Sequence, residues 1–192
     1  GLPVAIMAPV LGAQYALDPR VMIRPTSAFS AEFGTHFEKR TDDAQWVTAE
    51  TIDGTTHYVF ARIAQDTSSI TTRVNYTITP NLSVQVYAQP FVSSGQYTGF
   101  KELVNGRAEN YDDRYAPYAY NTSPDFKVLS FRTTNVMRWE YRPGSTLFVV
   151  WQQGREGLGA PNSLRFGRDY SDIFGTPASN ATRTRAGSSG AS

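Results

Sequence analysis

The sequence contains no cysteine, which excludes a disulfide framework and a Cys-based zinc site. It also has no run that approaches about eighteen apolar residues, and this excludes a transmembrane helix. Membrane-spanning strands are not excluded, because the strands of a barrel alternate apolar and polar residues and an averaged hydropathy does not detect that alternation. The absence of cysteine is compatible with many cellular compartments and does not identify one.

Charged residues are also scarce, at 18% of the chain against about 25% in ordinary soluble domains. The formal net charge is +1 and the basic residues are scattered, so the sequence gives no argument for a nucleic-acid partner. Aromatic residues reach 13%, with eleven Tyr and eleven Phe. At 192 residues, the chain fits one domain.

The common signatures of catalysis and phosphate binding are missing. No G-x-S-x-G, H-E-x-x-H, P-loop or G-x-G-x-x-G pattern occurs. The only two histidines, His36 and His57, are expected on different strands and on opposite kinds of face, which does not favour a His-centred site. The acidic pairs at 42–43 and 112–113 are interpreted as solvated loop acids rather than calcium ligands. The sequence therefore predicts no catalytic residue, no metal and no cofactor, and it does not favour an enzyme.

The most informative stretch runs from Phe126 to Gln153 and predicts a long β-hairpin. Alternate residues of its first strand form one largely apolar face and one polar face. The apolar face comprises Leu129, Phe131, Thr133, Asn135, Met137, Trp139 and Tyr141, and the polar face comprises Ser130, Arg132, Thr134, Arg138, Glu140 and Arg142. At the turn, Pro143 presets φ and Gly144 accepts a positive φ. The first strand alternates over about sixteen residues, whereas a transmembrane strand needs roughly nine to eleven.

Six further strands are predicted by the same alternation, which gives about eight in all. They cover residues 15–24, interrupted by Pro19, and residues 29–38, 46–52, 55–64, 69–79 and 82–89. The connections at Pro25, Asp53, Pro80 and Pro143 are tight, whereas those at 39–44, 65–67 and 93–125 are longer or more polar. Bacterial outer-membrane barrels alternate short periplasmic turns with longer outside loops in the same way.

Three regions follow from these patterns. Residues 1–14 are an apolar lead-in, expected to come from the interior of a longer protein because it lacks an initiating Met and a basic n-region. Residues 15–155 hold the barrel strands, with a long loop at 93–125. Residues 156–192 are expected to form a short coil or helix over 162–174 and then a disordered polar tail at 176–192.

Three segments carry a resemblance to a known family. They are Thr79 to Ser83, Gln85 to Phe91 with Gly95 and Tyr97, and Arg138 to Phe148 with Val150 and Trp151. Over roughly residues 15–175, the chain resembles the C-terminal part of a family of outer-membrane β-barrel proteins classed as domain of unknown function 5916. The resemblance implies an outer-membrane location in a Gram-negative bacterium.

The family's longer members commonly carry a family-9-like carbohydrate-binding module ahead of the barrel, and this chain departs from them in two ways. It lacks that module, and it lacks the aromatic-terminated final strand with which such barrels close. The resemblance does not imply a substrate, because the family's substrate is not established.

The expected fold is all-β, an antiparallel meander of about eight long strands that forms part or all of an outer-membrane β-barrel. Its expected role is passage or binding of a solute, with a saccharide as one candidate, or a structural role in an envelope complex. Expected partners are outer-membrane lipid, the remaining strands of a larger barrel and other envelope proteins. The alternative is a soluble antiparallel β-sandwich that serves as a binding or hydrolase-accessory module.

The direction of the apolar face separates the barrel from the sandwich. A barrel exposes this face as a continuous belt, and a sandwich buries it against a second sheet. We refer to the diagnostic residues as the belt residues, and they are Phe29, Phe33, Ile70, Val74, Tyr76, Phe131 and Met137.

Two groups of residues are candidates for ligand contact. The first would line a wet lumen or pair with one another inside a narrow barrel, and it comprises Arg73, Gln85, Tyr87, Gln89, Arg132, Arg138 and Glu140. The second consists of aromatic residues of the 93–125 loop, namely Tyr97, Phe100, Tyr111 and Tyr115. Their rings are suited to stacking on a sugar, to packing on one another or to lying at the level of lipid headgroups.

Overall fold

The computed structural model of the protein describes residues 12–188, with the side chain of Ser188 excepted. Residues 1–11 of the expected lead-in and the last four residues of the expected tail lie outside the described residues. The strands are β1 (Gly12–Leu17), β2 (Arg20–Ile23), β3 (Phe29–Ile52), β4 (Thr55–Thr79), β5 (Leu82–Leu103), β6 (Tyr115–Pro117), β7 (Phe126–Arg142), β8 (Ser145–Leu158) and β9 (Ala178–Ser188). One α-helix, α1 (Phe166–Gly175), lies between β8 and β9, and a short 3-10 helix spans Asp112–Arg114.

All nine strands belong to one antiparallel sheet. Its order is β1-β3-β4-β5-β7-β8-β9, with β2 also paired to β3 and β6 also paired to β5. This confirms the prediction of an all-β antiparallel meander, and the sheet is not closed. Among the described residues, no helix is long and apolar enough to cross a membrane.

The predicted turns are confirmed where the backbone requires an unusual conformation. Asp53 and Gly54 both have positive φ, at 50° and 78°, as the tight connection between β3 and β4 requires. Gly144 has φ of 75° in the turn that joins β7 to β8. The central hairpin therefore forms where the sequence places it, with Arg142 paired to Ser145 across the turn.

The predicted connections at 39–44 and 65–67 are wrong, because both segments lie inside continuous strands. β3 has 24 residues and β4 has 25, and they remain paired through this region with irregularities only between Asp42 and Gln45 and between Trp46 and Thr48. The apolar alternation stops here because polar residues occupy both faces, as with Lys39 and Asp66 on the otherwise apolar face. Backbone pairing does not need an apolar side chain, so the strands continue without the pattern.

The predicted loop at 93–125 is likewise too long. β5 continues to Leu103, and β6 pairs with its last three residues. Ser93 and Ser94, which lie in the predicted loop, are buried in the middle of β5. The remaining connections run over 104–114 and 118–125.

The predicted disordered tail is also wrong for residues 178–188. The eleven residues of β9 pair continuously with β8, from Ala178 opposite Arg155 to Ser188 opposite Ser145. Their small and polar side chains show little alternation, but the edge of β8 supplies partners for their backbone groups. The expected helix or coil over 162–174 corresponds to α1.

One buried cluster lies where α1 packs on the sheet, and a second group of buried residues, Val59, Ala61 and Ile63, lies on the other face of β4. Val92, Leu129 and Ile173 are buried together, and Phe131, Leu164 and Tyr170 pack against them. Pairing places Val92 opposite Leu129 on the face that carries the belt residues, so α1 covers one part of the apolar face. The rest of that face has no second sheet over it among the residues described.

Candidate functional site

The first group of candidate residues shares one face of the sheet. Arg73 lies opposite Tyr87, Gln89 lies opposite Arg132, and Gln85 lies opposite Asn75 on neighbouring strands. Arg138 and Glu140 follow Arg132 at even spacing on β7 and therefore point the same way. The register thus collects all seven on what we call the polar face, and their contact with a ligand stays a prediction.

The polar face contains two neighbouring hollows. The first, of about 440 Å³, includes in its lining Arg20, Glu32, His36, Arg73 and Tyr87. The second, of about 610 Å³, includes in its lining Arg132, Ser130 and Glu156. Gln89 and Phe91 of β5 line both, so the two hollows meet along β5.

Most charges of these hollows are paired. Arg20 lies 3.3 Å from Glu32, and Arg132 lies 3.0 Å from Glu156. His36 Nδ1 is 2.6 Å from Asp18 and its Nε2 is 3.4 Å from Glu38. This agrees with the interpretation that charges on this face neutralise one another.

The two histidines lie on different strands, as expected, but both lie on the same side of the sheet and each has a carboxylate beside it. His57 pairs with Glu50 in the sheet register, and its Nδ1 lies 2.5 Å from Glu102 on β5. Since β4 is not broken at 65–67, its odd-numbered residues keep one orientation from His57 to Arg73. Among residues 12–188, no group of three or more acidic or histidine side chains is arranged to hold a metal ion.

Tyr118, in the connection between β6 and β7, contacts Glu50 and His57. Its hydroxyl donates a hydrogen bond to Glu50, and its ring lies 5.3 Å from the ring of His57. The hydrogen bond to the Glu50 carboxylate, with a smaller contribution from burial, raises the pKa of Tyr118 to about 12. The phenol therefore stays protonated through the neutral range and ties this connection to the end of β3.

The aromatic candidates of the predicted loop occupy different elements. Tyr97 and Phe100 belong to β5, Tyr111 precedes the 3-10 helix, and Tyr115 begins β6. The rings of Tyr111 and Tyr115 are 5.2 Å apart, and Phe100 lies 5.2 Å from Tyr120. Phe100, Tyr111 and Tyr115 therefore pack on other aromatic rings, which was one of the predicted arrangements.

A lysine fixes the Tyr111–Tyr115 pair to the sheet. Lys101 Nζ lies 4.6 Å from the centre of the Tyr115 ring and donates hydrogen bonds of 2.7 Å to the Tyr111 hydroxyl and 2.5 Å to the Asp43 carbonyl. The three aromatic candidates Phe100, Tyr111 and Tyr115 also line a hollow of about 330 Å³. The structure thus leaves these rings partly accessible to a solute.

Sequence reasoning missed a buried ion pair beneath α1. Lys127 Nζ lies 3.1 and 3.0 Å from the two carboxylate oxygens of Asp169, and it also donates to Asn162 and Ser163. Asp169 in turn accepts a 2.7 Å hydrogen bond from the backbone N–H of Arg165. The spacing of Phe166, Tyr170, Ile173 and Phe174 is helical and would have predicted α1, but not which sheet residue it covers.

Comparison with known proteins gives one family match. The model described as Domain of unknown function (DUF5916) matches residues 11–185, which is most of the chain. Neither the curated proteins nor the solved structures gave a match.

Proposed function

The chain belongs to the DUF5916 family, and we propose that it forms part of the wall of a Gram-negative outer-membrane β-barrel whose polar face passes or binds a solute. The observation that carries the proposal is the uncovered apolar face of the part of the sheet around residues 68–79 of β4, whose other face carries polar and charged residues there. Lipid tails would cover the apolar face, and water would fill the space beside the polar face.

The belt residues support this assignment. None of the seven is buried, and Phe33 and Tyr76 remain 44% and 46% exposed. A sandwich would cover the same residues with a second sheet, whereas all described strands belong to one sheet. Only Phe131 packs against the cluster beneath α1, at one border of the face.

The height of the uncovered apolar face fits a bilayer. On β4, the apolar face runs from Ser68, beneath α1, to Ile78 near the turn. Eleven residues at ~3.4 Å each cover ~37 Å of strand, or ~26 Å of height at a tilt of ~45°. The apolar band of an outer-membrane barrel is about 25 Å tall and is flanked by aromatic rings. Tyr76 and Trp139 lie near the turn end, where such a ring would be expected.

The direction of the strands supports a larger barrel. Six antiparallel pairings separate β1 from β9, so both outer strands run in the same direction. They cannot pair with each other antiparallel, and closure requires an odd number of additional strands. Barrels of bacterial single-chain outer-membrane proteins have an even number of strands. We therefore propose the remaining strands of a larger barrel as partners of these two edges.

The proposed solute is a small polar molecule, with a saccharide as one candidate. The hydroxyl, amide and guanidinium groups of the polar face provide the hydrogen bonds that such a solute needs. The other role, as a structural part of an envelope complex, requires the same membrane wall but no solute. Transport or binding assays of the polar face separate the two roles.

The membrane wall is tested by placing one charge on each face. Val74→Arg puts a charge in the middle of the apolar face, and Asn75→Arg puts the same charge on the adjacent polar position of the same strand. The chain is expressed behind a signal peptide and assayed for outer-membrane fractionation and for its resistance to urea unfolding in the membrane fraction. The Val74 variant is expected to lose about 2–4 kcal/mol of stability near the bilayer midplane, and the Asn75 variant to fold normally.

Two results would contradict this proposal. One is a wild-type chain that behaves as a soluble monomer without detergent. The other is equal tolerance of arginine at both positions in a chain that fractionates with the membrane, because a lipid-facing Val74 cannot accept a charge at no cost.

A further inference from the structure

Arg73 differs from the other basic residues that line the two hollows of the polar face. Arg20, His36 and Arg132 each have a carboxylate partner, whereas none of the ion pairs in the described part of the chain includes Arg73. Its neighbour in the register is Glu32, but Glu32 pairs with Arg20. The carboxylate nearest in register to Arg73 is therefore already neutralised.

The Arg73 guanidinium packs instead on an aromatic ring. Its central carbon lies 5.4 Å from the centre of the Tyr87 ring, within the range of a cation–π contact. The Tyr87 hydroxyl donates a 3.0 Å hydrogen bond to Gln89, which fixes the orientation of the ring. A guanidinium held on a ring keeps N–H groups at its edge free to bind an anion with two parallel hydrogen bonds.

The surroundings of Arg73 suit a small ligand. The hollow of about 440 Å³ falls within the usual range of ligand pockets. Ser69 and Thr71, four and two residues before Arg73 on the same face, add hydroxyl groups to its lining. Phe91 adds a flat apolar surface.

We infer that this hollow is a binding site for the anionic group of a small polar solute, with Arg73 as the residue that holds a carboxylate or phosphate and Tyr87 as its support. The inference rests on the proposed function, because it names the class of solute that the polar face recognises. The hydroxyl groups of Ser69 and Thr71 and the ring of Phe91 contact the uncharged body of the solute.

The test is equilibrium binding of defined sugars to the purified chain in detergent micelles. Glucuronate carries a carboxylate, glucose 6-phosphate carries a phosphate, and glucose carries neither. We expect one or both of the acids to bind at least tenfold more tightly than glucose. Their relative affinities identify which anion the site takes.

Variants at two arginines assign the effect to Arg73. Arg73→Gln is expected to weaken binding of the preferred acid about ten- to hundredfold and to leave it no tighter than glucose. Arg73→Lys keeps the charge but not the planar fork, so an intermediate affinity is expected. Arg142→Gln is the matched control, because Arg142 is an exposed arginine at the turn end of β7 that lines neither hollow and is not a candidate ligand residue.

Three outcomes would overturn the inference. They are equal binding of glucose and both acids, unchanged binding by Arg73→Gln, and equal losses from Arg73→Gln and Arg142→Gln. Absence of binding in a chain that still fractionates with outer membranes would also overturn the site and leave the barrel proposal standing. Failure of the barrel proposal appears separately, in the fractionation of the wild-type chain.

Discussion

Two ion pairs that involve β7 have the same length and opposite surroundings. Lys127–Asp169 and Arg132–Glu156 both measure 3.0 Å, but their side chains are 2% and 5% exposed in the first pair and 72% and 69% exposed in the second. The buried pair has further hydrogen bonds at both ends, and the exposed pair is surrounded by solvent. Distance alone therefore says little about what either pair contributes to stability.

The difference lies in the cost of removing one partner. A buried charge that loses its counter-ion keeps its desolvation penalty, whereas an exposed charge is solvated again by water. Lys127 and Asp169 also connect the sheet to α1, so removing one partner would disturb the packing of the helix on the apolar face. The exposed pair connects two strands that backbone hydrogen bonds already hold together.

The largest effect is expected from Asp169→Ala. This change leaves Lys127 buried without its carboxylate and removes the acceptor of the Arg165 N–H, and it should cost about 3–5 kcal/mol. Denaturant unfolding measures the loss, and hydrogen exchange over 159–176 should show that α1 opens. Asp172→Ala changes an exposed acid of the same helix and serves as the control. A loss as small as that of the control would remove the distinction between the two pairs.

A smaller effect is expected when both buried charges are replaced together, in Lys127→Met with Asp169→Leu. Apolar side chains of similar size remove the desolvation penalty of both ions, so most of the stability lost in Asp169→Ala should return. A deficit of about 1 kcal/mol should remain because the Arg165 N–H stays without its acceptor. The measurement is the same denaturant series. A double variant no more stable than Asp169→Ala would mean that the helix depends on the ion pair itself.

The smallest effect is expected from Arg132→Gln on the polar face. An exposed ion pair contributes about 0–1 kcal/mol, and salt screens it. The unfolding midpoint should therefore move little at low ionic strength and not at all at high ionic strength. Gln152→Ala, an exposed substitution opposite Thr134 on β8, provides the baseline. A loss comparable to that of Asp169→Ala would refute the role given to burial.

The sequence predicts the elements that depend on local chemistry. The Asp53-Gly54 and Pro143-Gly144 turns, the central hairpin and the alternation of β4 over 69–79 all follow from side-chain pattern and backbone preference. The grouping of Arg73, Tyr87 and Gln89 on one face also follows from the two-residue period, once the strands are aligned.

The elements that the sequence does not predict depend on distant partners. The segments 39–44 and 65–67 stay extended because each pairs with the other, although neither carries an apolar pattern. β9 forms because β8 offers an edge, and Lys127 is buried because α1 folds back over it 42 residues later. The histidine–carboxylate contacts have the same origin, since His57 and Glu102 meet across two strands. Local patterns contain no information about these pairings.

The length of β3 and β4 has a mechanical consequence. Beyond Ser68 the two strands continue for thirteen residues of β4, or ~44 Å of paired backbone, before the Asp53-Gly54 turn. The contacts of Glu50 with Tyr118 and of His57 with Glu102 add to the backbone pairing of this segment, so it extends as a paired arm rather than as a loop. In the proposed membrane wall, this arm would extend beyond the bilayer, and its Asp53-Gly54 end would be the part that another envelope protein could contact without touching lipid.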